Sequence, residues 1–228
     1  MPDALLLDWE GCIIETLSMR MAALQRALRD EGVALADDDC TRCCDGASVD
    51  TSVQRARADV GTTDPVLADL VAARARRAFA ERLGKGFVVR PGARELLDGA
   101  QSNSRIAIVT QASRAETAFV LLLTGLDRGI STIISADDAL EPPPSPASFI
   151  AAVAQLSRVR AIRPEHSIVL ASSADLLRAA RMAGLRTIAV CAPAHVALEA
   201  DGAVDTLDGI SMSALSRIAG LPAAEQRA

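Results

Sequence analysis

Lysine is almost absent from this chain. Lys85 is the only one among 24 basic residues, which face 29 acids and leave a formal net charge of −5. A nucleic-acid-binding surface needs clustered cations, and here the arginines are scattered among acids, so nucleic acid is not the expected partner. No apolar run approaches the roughly 20 residues of a membrane-spanning helix. The chain enters an apolar strand pattern at Ala4, which leaves no room for a signal peptide, and a cytoplasmic protein is expected. Histidine is scarce too: His166 and His195 both stand far from the cluster Cys40, Cys43 and Cys44. A structural zinc site takes four ligands, and no second Cys/His pair lies near that cluster to complete one. Cys12 and Cys191 bring the cysteines to five, an odd number that fits reduced thiols.

What is present describes a globular enzyme-sized chain. Half of its 228 residues are hydrophobic and 23% are charged, enough for one large domain or one domain with an insert. The apolar run Ala4 to Leu7 reads as a buried central strand that ends on Asp8. Glu10 follows two residues later, and Gly11 lets the chain turn away. Ligands of open parallel sheets bind at the carboxyl ends of the strands, so both carboxylates are expected at the mouth of a site. After Glu15 the pattern turns helical, with Met19, Ala22, Ala23, Arg26 and Ala27 at three-to-four spacing and Gly32 as a stop. Asp37-Asp38-Asp39 reads as a solvated turn or helix start, because it lacks the spaced oxygens of a calcium loop. Asp64-Pro65 predicts an N-cap and first helical residue for a helix running to about Arg82. Gly84-Lys85-Gly86 then returns the chain, which makes residues 16–86 a helical insert between segments 1–15 and 87–228. Further strands are expected at Ile106–Thr110, Ser131–Ser135, Ser167–Ala171 and Thr187–Val190, with an edge near Ala203–Asp205. Residues 222–228 are expected to pack loosely.

Asp8-Trp9-Glu10-Gly11 with Glu15-Thr16 resembles the first motif of the haloacid dehalogenase (HAD) superfamily, Asp-x-Asp-Gly-x-x-x-Asp/Glu-Thr. Pro91-Gly92 through Leu97 is similar to the family's Pro-Gly-x-x-x-x-Leu helix, and Thr110 to its second-motif hydroxyl. Pro144-x-Pro146-x-x-Phe149 and Ala179-Ala180-x-x-Ala183-Gly184 resemble the third and fourth motifs. The likeness runs from Ala4 to about Leu207 and points to the phosphoglycolate phosphatase and β-phosphoglucomutase-like branch. It implies a three-layer Rossmann-like α/β core with a central parallel sheet and an inserted helical cap at 16–86. It also implies a phosphatase or phosphomutase acting on a small phosphorylated metabolite. Asp8 would be the nucleophile that forms an aspartyl-phosphate, and Glu10, one methylene longer than the usual aspartate, the general acid/base. Thr110, Gln111 and Arg114 would hold the phosphoryl group, helped by free amides of a helix beginning near Ser113. Asp45-Gly46 would be the substrate-selecting turn of the cap, or a plain turn between helices. Magnesium is the implied cofactor, with Asp8, Glu10 and Asp175 as its carboxylates.

Three charged positions of the family pattern are missing. The third-motif lysine falls on Pro143; the fourth-motif metal aspartate falls on Ser172 and the acid before it on Ala171. Asp175 stands one residue off the place where some relatives carry another acid. Without metal or lysine, an aspartate anion meets a phosphate dianion. At about 4 Å and an effective dielectric of about 20 the repulsion is roughly 8 kcal/mol, on the order of six powers of ten in rate. Three compensations are open: a displaced carboxylate from Asp175, Asp138 or Glu141, a cation from Arg114, or an uncharged substrate as in the metal-free dehalogenases, whose Ser-Ser pair resembles Ser172-Ser173. The other reading is a catalytically impaired HAD-fold protein that binds a ligand or partner.

Overall fold

The structure is a computed structural model that describes residues 1–45, 47–60, 65–138, 141 and 143–222. The chain order begins β1 (Ala4–Leu7), β2 (Ile14–Glu15), α1 (Leu17–Arg29), α2 (Asp37–Cys44), α3 (Val49–Val60), α4 (Pro65–Leu83) and β3 (Val88–Val89). It continues α5 (Ala93–Gln101), β4 (Arg105–Val109), α6 (Arg114–Thr124), β5 (Ile130–Ile134), α7 (Pro146–Ser157) and β6 (Ile168–Ala171). Last come α8 (Ala174–Met182), β7 (Arg186–Val190), α9 (Ala194–Ala197), β8 (Gly202–Val204) and α10 (Met212–Ile218). Two compact units result, Met1–Ile14 with Val89–Ala228, and Glu15–Val88. The expected N-cap Asp64 and the tail residues 223–228 lie outside the described residues.

The core unit is built on a six-stranded sheet in the order β5-β4-β1-β6-β7-β8, every neighbouring pair parallel. Its central strands β1 and β6 are apolar throughout because both faces are covered. Leu5, Leu6 and Leu7 have no exposed surface, each contributing about 1.5–3 kcal/mol of burial. Successive side chains point to opposite faces. Ala4, Leu6, Ala107, Val109, Val169 and Ala171 join Phe149 and Leu156 of α7, Leu176 and Leu177 of α8 and Val196 of α9 in one cluster. The alternate residues supply the other face, where α5 packs on β4 and α10 on α5. The result is the three-layer α/β sandwich with a central parallel sheet.

Two contacts tie segments that flank this sheet. Ahead of β1, the Asp3 carboxylate takes a two-pronged bond from the Arg163 guanidinium at 2.8 and 3.2 Å, which holds its acid below the ordinary value of 3.8. At the start of α5, Gly92 is in the left-handed region at φ 79°. An ideal Cβ there would stand 2.1 Å from the Leu207 carbonyl oxygen, so the 91–97 segment and the loop before α10 approach as closely as backbones allow.

The second unit, Glu15–Val88, is helical, with α1 packed against α4 and α2 against α3. Asp37, Asp38 and Asp39 form the first turn of α2, where negative charge meets the positive end of the helix dipole. Cys40, Cys43 and Cys44 all face inward and are buried. The Cys40 thiol donates to the Met21 carbonyl at 3.5 Å and the Cys43 thiol to Asp59 at 3.6 Å. Burial leads in pushing Cys40 up to about 12 and Cys43 up to about 11, away from the thiolate that metal binding requires. Among the described residues no group of three His, Cys, Asp or Glu side chains is placed to hold a metal ion. Nor is any helix among them long and apolar enough to cross a membrane.

Two outcomes follow from these placements. Gly92→Ala is expected to lower the melting temperature sharply, since a backbone must move. Gly99→Ala, inside α5 with nothing within 4 Å of the new methyl, is expected to raise stability by about 0.5–1 kcal/mol; urea unfolding of both variants checks the contrast. In native protein, Ellman's reagent is expected to modify the half-buried Cys191 and leave the four buried thiols unreacted until denaturant is added.

Candidate active site

The register of the three central strands assembles the site. Leu7 pairs with Ile108 of β4 on one side and with Leu170 of β6 on the other. One residue beyond Leu7 stands Asp8, and two beyond the partners stand Thr110 and Ser172. Three adjacent strands thus deliver a carboxylate flanked by two hydroxyls at their carboxyl ends. Asp8 is buried, and its amide donates to the Leu170 carbonyl at 2.8 Å. Ser172 Oγ donates to Asp8 Oδ2 at a long 3.5 Å.

The chain leaves β1 through a tight turn. Trp9 is buried, and its carbonyl accepts from the amides of Ile13 at 3.1 Å and Ile14 at 3.2 Å. Glu10 is half-buried and bridges to Ile14. Gly11 takes φ 77°, and an ideal Cβ on it would lie 2.3 Å from Ser172 Oγ. Glycine is therefore required both by the backbone and by the serine side chain beneath it. The carbonyl of Gly11 accepts from Arg90 Nε at 2.7 Å. Cys12 lies in the same turn, buried completely. Its thiol is pushed far up, chiefly by burial and then by the Asp8 and Cys191 charges, with Arg90 opposing them.

Thr110 is buried, its amide donating to the Ile134 carbonyl at 2.9 Å and its Oγ1 accepting from the Ala112 amide at 3.2 Å. Gln111 beside it is also buried. Ser113 caps α6 by accepting from the Glu116 amide at 3.1 Å. Arg114 is directed elsewhere. Its guanidinium donates to Asp138 at 3.0 and 2.6 Å and to the Ile133 carbonyl at 3.0 Å. Burial raises the Asp138 acid, but Arg114 and Ser135 outweigh it and hold the carboxyl below its usual range. The two residues that sequence offered as a spare cation and a spare carboxylate thus neutralise each other.

Pro143 is buried in the third-motif loop and joins Pro144 through a cis peptide; Ala139, Leu140 and Pro142 lie outside the described residues. Asp175 stands in the first turn of α8, exposed and paired with Arg178. In the helical unit, exposed Asp45 ends α2, and its carbonyl accepts from Arg55 at 2.9 Å. Its expected partner Gly46 lies outside the described residues. Arg90 had no signal in the sequence: it precedes Pro91-Gly92 and carries no motif of its own.

Comparison with known proteins agrees with this architecture. Residues 5–190 match the family model described as haloacid dehalogenase-like hydrolase. No curated protein matches the chain significantly by sequence. Among solved structures, β-phosphoglucomutase from Clostridium difficile superposes with a TM-score of 0.83 at 17% identity, covering 96% of this chain and 98% of its own. CbbY from Rhodobacter sphaeroides, solved with phosphate, gives 0.80 at 21% identity over 95% and 100%. It has also been solved with xylulose-(1,5)bisphosphate. A predicted phosphoglycolate phosphatase from Haemophilus somnus gives 0.79 at 18% identity over 90% and 94%. At these identities the likeness shows the fold.

The implied magnesium is tested by the donors in place. Magnesium takes near-octahedral oxygens, usually including one or two carboxylates. Here the position of the second carboxylate is Ser172, a neutral hydroxyl 3.5 Å from Asp8. The set Asp8, Glu10 and Asp175 is not gathered: Asp175 is exposed against Arg178 on the first turn of α8, and no three acidic, histidine or cysteine side chains among the described residues form a metal site. The residues present do not fit the ion. The double variant Ser172→Asp with Pro143→Lys is expected to bind magnesium measurably by calorimetry where the parent does not.

Proposed function

The chain belongs to the haloacid dehalogenase-like hydrolase family, and from that premise we propose that it hydrolyses a small phosphorylated metabolite through an aspartyl-phosphate on Asp8. What supports this reading most is the strand register, which brings the carboxylate of Asp8 between the hydroxyl-bearing ends of β4 and β6. An Asp8 oxygen attacks phosphorus as the ester P–O bond breaks, and protonated Glu10 gives its proton to the leaving oxygen. Glu10, now a carboxylate, takes a proton from water, whose oxygen attacks the acyl phosphate and releases Asp8 and inorganic phosphate. Thr110, with Gln111 beside it, contributes the polar edge of the phosphate pocket. Asp45 is assigned to substrate selection by its place in the family pattern. Phosphate and a sugar bisphosphate bound by the Rhodobacter sphaeroides neighbour favour this substrate class.

The neutral Ser172 and Pro143 favour a second reading, a ligand-binding member without turnover. A panel of sugar phosphates and an aryl phosphate, assayed with and without magnesium, separates the two. Phosphate release is expected, lowered by on the order of 10³-fold or more in Asp8→Asn and by about 10²–10⁴-fold in Glu10→Gln. Absence of release from every substrate, or release that survives Asp8→Asn, overturns the hydrolase.

A further inference from the structure

The turn Asp8–Ile14 presents both reacting carboxylates, yet its only glycine has no side chain to lock it. Trp9 and Ile14 carbonyls take the amides of Ile13, Ile14 and Gly11 at 2.8–3.2 Å, which leaves the Gly11 carbonyl pointing away from the turn's own donors. It is met from outside by Arg90, whose Nε lies 2.7 Å from it. The Arg90 amide donates in addition to the Ile13 carbonyl at 2.9 Å. One residue therefore grips the turn twice, by side chain and by backbone. Its own position is set by the following turn, in which its carbonyl accepts from the Ala93 amide at 3.1 Å, and by Gly92 against the Leu207 carbonyl. On the far side the turn rests on Ser172 Oγ.

We propose that Arg90 is a positioning residue of the active site, clamping the Asp8–Ile14 turn through the carbonyls of Gly11 and Ile13. A charge-assisted bond to a carbonyl is stronger than a neutral one. Lysine keeps the charge as a point donor but not the planar fork of arginine; glutamine keeps an N–H donor but no charge.

The catalytic part of this inference rests on the hydrolase reading; the clamp itself does not, and the sole tryptophan, Trp9, reports on it directly. Acrylamide quenching of Trp9 fluorescence, and kcat and KM on an aryl phosphate, are measured for the parent, Arg90→Gln and Arg90→Lys, with circular dichroism and melting temperature as the folding control. Quenching is expected to rise by about twofold or more in Arg90→Gln. Its kcat is expected to fall about 10- to 100-fold, the range a small misplacement produces, with KM nearly unchanged. Arg90→Lys, which keeps a charged donor, is expected to fall between the parent and Arg90→Gln in both readouts. Parental quenching and parental kcat in folded Arg90→Gln overturn the proposal. If the parent releases no phosphate, the hydrolase reading falls, and quenching alone decides the clamp: increased exposure of Trp9 supports it and unchanged exposure removes it.

Discussion

Strand β1 is hydrogen-bonded along both edges, to β4 and to β6, and buried on both faces, and everything functional in the core unit depends on that double constraint. A strand without a free edge or face cannot slip in register without moving its neighbours, because a shift of one residue would send every side chain to the opposite layer. Asp8 is therefore delivered to one place, beside the ends of β4 and β6. The apolar side chains of Leu5, Leu6 and Leu7 supply the burial. Asp3 and Arg163 hold the other end of the strand, and the Asp8 amide closes the ladder on Leu170.

Charge is distributed in this chain in a way that leaves the site unlike its relatives' motifs. The acids and arginines near the strand ends satisfy one another: Asp138 takes Arg114, and Asp175 takes Arg178. Exposed pairs of this kind contribute little to stability. Closer to Asp8, Ser172 donates to its carboxylate and the Arg90 guanidinium meets the carbonyl of Gly11 on the turn. A neutral hydroxyl thus stands beside Asp8 where the family motif has a carboxylate.

Much of this was legible in the amino-acid order, because the information was local. A continuous apolar run ending in a carboxylate marks a doubly covered strand and its functional end. Strand positions near Ile106, Ser131, Thr187 and Ala203 were readable to within a residue from burial-type patterns. The insert read as 16–86 compares with a division at Ile14/Glu15 and Val88/Val89. The short helices α9 and α10 carried no strong periodicity and were not foreseen. At the site, Ser172 was placed by motif alignment alone, and the structure adds that it touches Asp8 and lies under Gly11.

What the sequence by itself determined is the fold family and the place of Asp8 at the end of the first strand, since hydrophobic period and motif spacing are properties of neighbouring residues. Which charges reach that carboxylate was decided only by tertiary structure. In the sequence Arg114, four residues after Thr110, was the arginine offered to the site, and Arg90 carried no signal. Folding sends the first to Asp138 and the second, 79 residues from its partner, to the carbonyl of Gly11. Side-chain direction depends on which partner the sheet brings within bonding distance, and that distance has no counterpart in the order of residues. The strand that opens the chain is a local fact; the hand that holds its turn is a tertiary one.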